Sequence, residues 1–226
     1  MNRTTFLLCL ALSAVGLFVA PLLILAAPME PTMGFVQRIF YYHVPCAWLT
    51  FLAVFLCAAG SAAYLFARSE RGEALAAAAA ELTVVFGICV LVTGPLWARK
   101  AWGAWWVWKD VRLMTTLLLW FIFVAYLFVR RFGGPGSARL AAGLALFAAA
   151  DVPIIYTSVF FWRTQHPKAT VVRTLDPKMM PAFFTSLAVF TAFFVALLAA
   201  RYALERSRQR LDATWLAAED AGLLDN

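Results

Sequence analysis

Six long apolar segments constrain this 226-residue chain more than any other feature of its sequence. Each is close to the roughly 20 apolar residues that a helix needs to cross the hydrocarbon core of a bilayer. Backbone N–H and C=O groups find no water there, so such segments must form helices. The predicted fold class is all-α, a polytopic membrane helical bundle in one integral-membrane domain, residues 1–226. The six predicted spans are Thr5–Ala27, Ala47–Ala67, Ala77–Leu96, Leu113–Val129, Leu140–Phe161 and Ala182–Leu204.

The composition agrees with a membrane protein and excludes a soluble domain of ordinary size. Hydrophobic residues make up 64% of the chain and charged residues 14%, whereas soluble domains average about 45–50% and 25%. The net charge is +7, but a chain without a soluble domain has no basic surface on which to bind nucleic acid. We therefore expect no nucleic-acid partner. A lipid bilayer and an anionic ligand suit this charge better.

The positions of lysine and arginine predict the orientation of the spans. Six spans place both termini on one side, and that side receives two short arginine-bearing links, 68–76 and 130–139, and the mixed-charge tail, 205–226. Short basic links favour the cytoplasm. The first apolar segment is longer than a secretion signal and lacks a convincing cleavage site, so we expect it to be retained. We therefore predict cytoplasmic termini and outer links at 28–45, 97–112 and 162–181.

The outer link 97–112, here called the Trp-rich segment, contains five of the nine tryptophans. Interfacial anchoring requires only one or two aromatic rings per helix end. The segment also carries four cations, which suit the carboxylates of a ligand at a partly dry site. This pattern suggests a platform for a porphyrin, although ordinary solvation or lipid contact of the cations stays open. The five tryptophans are Trp97, Trp102, Trp105, Trp106 and Trp108, and the cations are Arg99, Lys100, Lys109 and Arg112.

The chain has only two histidines, and both are predicted to lie on the outer side. His43 occurs in RIFYYHVP and His166 in FFWRTQHPK, each close to a proline that we expect to stiffen a turn, Pro45 and Pro167. Neutral imidazole is a good ligand for iron, and two imidazoles would fill both axial positions of a heme. A lone histidine at a membrane edge is more often a hydrogen-bonded interfacial residue, and the residues alone leave both interpretations open.

Several motifs in order along the chain resemble the heme exporter protein C family of the system I cytochrome c maturation pathway. The segment WGAWWVWKDVRLMTTLL is similar to the tryptophan-rich "WWD" signature of heme-handling proteins. The resemblance extends from about Arg38 to the sixth span through the motifs RIFYYHVPCAW, LVTGPLW, DVRL, PIIYTSVFFWRTQH and LDPKM.

The resemblance implies a function and a set of site residues. His43 and His166 match the axial heme ligands of the family, and its heme platform matches Trp102, Gly103, Trp105, Trp106, Trp108 and Asp110, with Arg112 in the family's arginine position. We expect heme b as the transferred ligand and Arg38, Arg112 and Arg163 as propionate contacts. The implied role is not enzymatic: the chain presents heme to a membrane-anchored heme chaperone. An ABC transporter and a small accessory membrane subunit are the implied partners, in a bacterial inner membrane with the Trp-rich segment periplasmic.

One residue departs from the family pattern. The family runs tryptophan directly into aspartate, whereas Lys109 separates Trp108 from Asp110 here. On a helix an inserted residue would rotate Asp110 by about 100°, whereas in a loop it could bulge outward. The role of Asp110 and a contact between Lys109 and a propionate are both left open.

Three other functions share some of these features. A cytochrome b-like electron carrier also uses paired histidines, but normally within the spans. A heme-independent transporter with an aromatic vestibule would purify without colour. A subunit of the system II heme-attachment machinery has a similar Trp-rich loop, but the short chain and the two histidines argue against it.

Overall fold

The computed structural model describes residues 3–134, 136–167 and 171–222, and its long elements are all helices. Within that part of the chain, six helices are long and apolar enough to cross a membrane, which confirms the predicted fold class. All six predicted spans fall on these helices. The helices are α1 (Arg3–Ala26), α2 (Phe40–Ala67), α3 (Glu70–Trp102), α4 (Val111–Phe132), α5 (Ser137–Phe161) and α6 (Met180–Asp220).

Helix α2 begins earlier than the apolar segment predicted, and this changes the setting of His43. A short 3-10 helix, Phe35–Ile39, leads directly into α2, so His43 lies in the first turn of the helix and not in a stiff turn before it. Pro45 is inside α2 and donates no hydrogen bond to the Tyr41 carbonyl. Ser186 of α6 donates to that carbonyl instead, at 2.5 Å, and so joins the outer ends of α2 and α6.

Helix α3 is longer than predicted, which corrects the boundaries of the Trp-rich segment. The helix continues through Trp97 and ends at Trp102, because Gly103 adopts a left-handed conformation with φ of 74°. The connection to α4 is therefore only residues 103–110, here called the α3–α4 loop. Alanine, lysine and arginine favour helix in the stretch 98–101, and hydropathy alone gave no sign of this extension.

Small residues set the closest helix contacts. A Cβ atom on Gly60 of α2 would lie 2.5 Å from the Gly72 carbonyl oxygen of α3. A Cβ on Gly16 of α1 would lie 2.2 Å from the Val189 side chain of α6. The backbones can approach this closely only because those positions lack side chains.

The tail predicted at 205–226 continues helix α6 as far as Asp220. At this end of the bundle Arg130 of α4 pairs with Glu73 of α3 at 2.9 Å and with Glu205 of α6 at 2.8 Å. Glu81 of α3 pairs with Arg201 of α6. These ion pairs hold the three helices together where they leave the apolar region.

Candidate functional site

Both histidines and the α3–α4 loop meet at one end of the bundle. His43 starts α2, the loop joins α3 to α4, and His166 follows α5 in the stretch 162–167, here called the His166 segment. His43 contacts Thr93 near the end of α3, and Asp110 at the end of the loop bonds Thr164 and Gln165 beside His166. These elements therefore lie at the same end of the bundle.

The imidazole of His43 is held by α3 in one defined tautomer. Its Nδ1 lies 2.8 Å from the Thr93 hydroxyl oxygen. That hydroxyl donates its own hydrogen to the Cys89 carbonyl at 2.6 Å, so Thr93 can only accept from the histidine. His43 Nδ1 therefore carries the hydrogen of this bond, and in the neutral imidazole the lone pair is on Nε2.

Gly94, the next residue of α3, lies against this imidazole. A Cβ atom at Gly94 would lie 3.4 Å from His43 Cε1, at the lower limit of ordinary van der Waals contact. Sequence reasoning did not identify Thr93 or Gly94 as site residues. Both belong to the LVTGPLW motif that carried part of the family resemblance, and this motif was the available signal.

His166 adopts the same tautomer through a different partner. Its Nδ1 lies 2.9 Å from the Pro167 carbonyl oxygen, which can only accept, so Nδ1 donates and Nε2 is again free. Burial, with the Arg112 guanidinium nearby, lowers the pKa of His166 to about 4. The imidazole is therefore neutral at pH 7 and its Nε2 lone pair is available to a metal.

Asp110 ties the α3–α4 loop to the His166 segment. Its Oδ1 caps the start of α4 by accepting from the backbone N–H groups of Arg112 at 3.0 Å and Leu113 at 3.2 Å. Its Oδ2 accepts from the Thr164 hydroxyl at 2.7 Å and the Gln165 N–H at 2.8 Å. The Thr164 hydroxyl oxygen in turn accepts from the His166 N–H at 3.1 Å.

These contacts change the expected role of Asp110. The residue is 2% exposed and both carboxylate oxygens are occupied by the protein itself. It is therefore placed as a link between two chain segments and not as a surface contact for a ligand. The sequence left its role open because no local pattern shows that the partner is 54 residues away.

Lys109 lies in a tight turn directly before Asp110. The Asp110 N–H donates to the Val107 carbonyl at 3.0 Å, which closes a turn with Trp108 and Lys109 at its tip. The Lys109 side chain is exposed. Of the two possibilities raised by the sequence, the outward bulge in a loop is the one observed.

The tryptophans form two pairs around this loop. Trp97 and Trp102 meet edge to face at the end of α3, with ring centroids 5.5 Å apart. Trp106 and Trp108 form a second edge-to-face pair at 6.2 Å within the loop. Trp108 is 71% exposed and Trp105 56% exposed, so aromatic surface is presented outward and not used as core.

Gly103 contributes backbone conformation and not space. Its left-handed φ ends α3, and a Cβ there would meet nothing within 4 Å. The Arg99 guanidinium donates to the Gly103 carbonyl at 2.6 Å and closes the helix end. Gly103 thus sets the direction in which the loop leaves α3.

The three candidate arginines differ in their placement. Arg112 lies beside both histidines and donates to the Ile155 carbonyl at 3.4 Å. Arg163 is exposed at the start of the His166 segment. Arg38 donates to the Leu25 carbonyl at 2.8 Å and lies over the Phe35 ring at 4.7 Å, so its guanidinium holds the end of α1.

The two imidazoles are compatible with the axial positions of a heme iron. Among the described residues, no group of three or more His, Cys, Asp or Glu side chains could hold a metal ion. A protein-bound zinc ion usually takes three or four protein ligands, whereas heme iron needs only axial ligands from the protein. Two neutral imidazoles beside exposed indoles fit the second case.

Comparisons with known proteins agree with these features. A family model described as heme exporter protein C matches residues 1–217. The heme exporter protein C of Bradyrhizobium diazoefficiens is 34% identical over 206 residues, covering 88% of this chain and 76% of the relative. A putative cytochrome c biosynthesis ccmC-like mitochondrial protein of Marchantia polymorpha is 30% identical, covering 82% and 78%. The heme exporter protein C of Escherichia coli K12 is 34% identical, covering 68% and 63%.

Proposed function

This chain belongs to the heme exporter protein C family, and from that premise we propose that it binds heme through His43 and His166 and presents it for transfer. Membership in this family implies a multi-pass membrane protein that handles heme in cytochrome c biogenesis. The family name describes heme delivery and not an enzyme. The finer assignments below are supported by the site geometry.

The free Nε2 atoms are the observation that carries the proposal. Each histidine uses Nδ1–H in a fixed hydrogen bond, His43 with Thr93 and His166 with Pro167. Second partners of this kind fix the tautomer and orientation of a ligating imidazole and raise its basicity. Two independent segments therefore supply axial donors to one iron, with heme b as the cargo.

The exposed indoles supply apolar contact to the macrocycle. Trp105 and Trp108 present outward surface. Trp106 contacts Trp108 edge to face within the loop, and Trp102 pairs with Trp97 at the end of α3. Covering apolar surface contributes about 25 cal/mol per Å². A platform of this kind binds a flat ring while leaving one edge open for a second protein.

The propionates are assigned first to Arg112, which lies beside both histidines. Arg163 is the second contact, because it is exposed on the segment that carries His166. Arg38, expected from sequence, is given other partners by the structure and is left out of the proposed site. Guanidinium groups bind carboxylates with two parallel hydrogen bonds, which would orient the heme edge.

Presentation is the step that follows from this arrangement. Bis-histidine ligation saturates the iron, and transfer to a membrane-anchored heme chaperone requires both imidazoles to release it. An ABC transporter with a small accessory subunit is the proposed source of the driving force. We place the site on the periplasmic side of a bacterial inner membrane and both termini in the cytoplasm, because the short arginine-bearing links lie at the opposite end.

Absorption spectra of the detergent-purified full chain test this proposal. The native protein is expected to bind heme as a low-spin, six-coordinate complex. Replacing either histidine, His43→Ala or His166→Ala, is expected to give a high-spin, five-coordinate spectrum that added imidazole reverses. Gln165→Ala is the matched control, because only its backbone N–H is used in the site. Spectra unaltered in both histidine variants would refute the ligand assignment, and a native protein that takes up no heme would favour the heme-independent transporter.

A further inference from the structure

A second concentration of positive charge lies at the opposite end of the bundle, outside the proposed heme site. A cavity of about 590 Å³ lies between the start of α1, the start of α3 and the last part of α6. Four arginines line it: Arg3, Arg71, Arg206 and Arg210. No acidic residue is among its lining residues within the described part of the chain.

A neighbouring cavity at the same end of the protein contains arginines whose charge is balanced by acidic side chains. That cavity, about 460 Å³, is lined by four arginines and by Glu81 and Glu205. Its Arg130 pairs with Glu205, and its Arg201 pairs with Glu81. Acidic partners from the neighbouring helices therefore neutralise much of its charge.

The cavity of about 590 Å³ lacks this compensation for three of its four arginines. Arg206 pairs with Glu70 at 3.4 Å. Arg3, Arg71 and Arg210 form no ion pair with any described residue. Three guanidinium groups of like charge around one cavity are mutually unfavourable unless an anion or solvent ions screen them.

The position of this cavity along the bundle brings apolar and charged side chains together. Helix α1 packs antiparallel against α6, with Gly16 against Val189, so the start of α1 reaches the level of Tyr202. There the apolar part of α6 ends and its charged extension begins. The lining therefore combines the arginines with an apolar wall, formed by Phe6, Ala199, Ala200 and Ala203.

We propose that this cavity binds the phosphodiester headgroup of an anionic phospholipid from the cytoplasmic leaflet. Guanidinium groups match phosphate oxygens with paired hydrogen bonds. Basic cavities between transmembrane helices at the cytoplasmic side are suited to such headgroups. A free phosphate ion would use the arginines alone, whereas a lipid also uses the apolar wall, and the presence of both surfaces favours the lipid.

Thermal unfolding of the full chain in detergent, followed by tryptophan fluorescence, tests the assignment. Short-chain phosphatidylglycerol is expected to raise the midpoint for the native protein, and short-chain phosphatidylcholine or inorganic phosphate at the same concentration is not. The lipid effect is expected to weaken at high salt, because the contact is partly exposed. An equal shift with inorganic phosphate would overturn the lipid assignment, and so would the absence of any shift with phosphatidylglycerol.

Paired double variants test the location. In the double variant Arg71→Gln with Arg210→Gln, the phosphatidylglycerol concentration that gives half of the maximal midpoint shift is expected to rise at least tenfold. Arg131→Gln with Arg139→Gln removes the same charge at the same end, outside the cavity, and is expected to leave the effect unchanged. Equal losses in both pairs would overturn the site and indicate a general charge effect. Should the first pair not fold, Arg71→Lys with Arg210→Lys keeps the charge, and loss of the paired hydrogen bonds is then expected to weaken binding.

Discussion

Replacing Asp110 by asparagine separates the two functions of this carboxylate. Asparagine is about as good as aspartate at a helix N-terminus, so the cap on α4 is retained. An amide offers one acceptor oxygen instead of two, so the bonds from Thr164 and Gln165 lose their carboxylate partner. The variant therefore releases the His166 segment without unwinding α4.

The size of the effect follows from those two hydrogen bonds. A hydrogen bond to a charged group contributes about 1.5–3 kcal/mol, so losing both weakens the attachment of the segment by about 3 kcal/mol. Each 1.4 kcal/mol is a factor of ten, which makes the expected loss of heme affinity about 100-fold. Asp110→Ala also removes the helix cap and is expected to lose about 1 kcal/mol more in stability.

Heme titrations followed by absorption and resonance Raman spectroscopy measure the heme affinity and the coordination state of the iron. In the asparagine variant the complex is expected to become largely five-coordinate and high-spin, and added imidazole is expected to restore the six-coordinate state. Asp176→Asn is the matched control: it removes the same charge from an exposed residue that caps a local turn before α6. A six-coordinate spectrum with native affinity in the Asp110→Asn protein would show that the link does not place His166.

Three further substitutions test individual parts of the structure. Thr93→Val removes the acceptor that fixes the His43 tautomer and is expected to lower heme affinity about 10–100-fold, whereas Thr93→Ser retains it; equal affinities in a heme titration would contradict this. Gly103→Ala is expected to cost about 1–2 kcal/mol in chemical unfolding, because φ is 74° there, whereas Gly143→Ala in an open helical position costs nothing. Gly60→Ala is expected to cost about 1–3 kcal/mol, because the new methyl group meets the Gly72 carbonyl; a stability equal to that of Gly143→Ala would refute the close packing.

The membrane fold could be predicted because the bilayer acts on each helix separately. Length and hydropathy place Leu113–Val129 inside α4 and four other spans inside their helices, while the first span, Thr5–Ala27, extends one residue beyond α1. The helix ends were less predictable. Helix α3 continues to Trp102 because the residues of its last turn still favour helix. Helix α2 can begin at Phe40 because Ser186 donates a hydrogen bond to the Tyr41 carbonyl, which Pro45 leaves without its usual partner.

The parts of the candidate site that depend only on residue type could be predicted from the sequence. Two histidines, a cluster of indoles and the order of the motifs were enough to indicate heme and the family. Thr93 and Gly94 were missed, because a threonine and a glycine within an apolar segment carry no local sign of a histidine 50 residues away. The partners of Arg38 were hidden in the same way: its proximity in sequence to His43 does not reveal that Leu25 and Phe35 engage its guanidinium.

Sequence by itself determined the number and type of the membrane-spanning elements and indicated the family, since these depend on side-chain chemistry and local hydropathy. Tertiary structure alone decided which imidazole nitrogen is free, that Asp110 serves as a link, and that Lys109 bulges outward. Those properties depend on atoms brought together from α3, α4 and the segment after α5, and a hydrogen bond of defined direction exists only once these elements have packed.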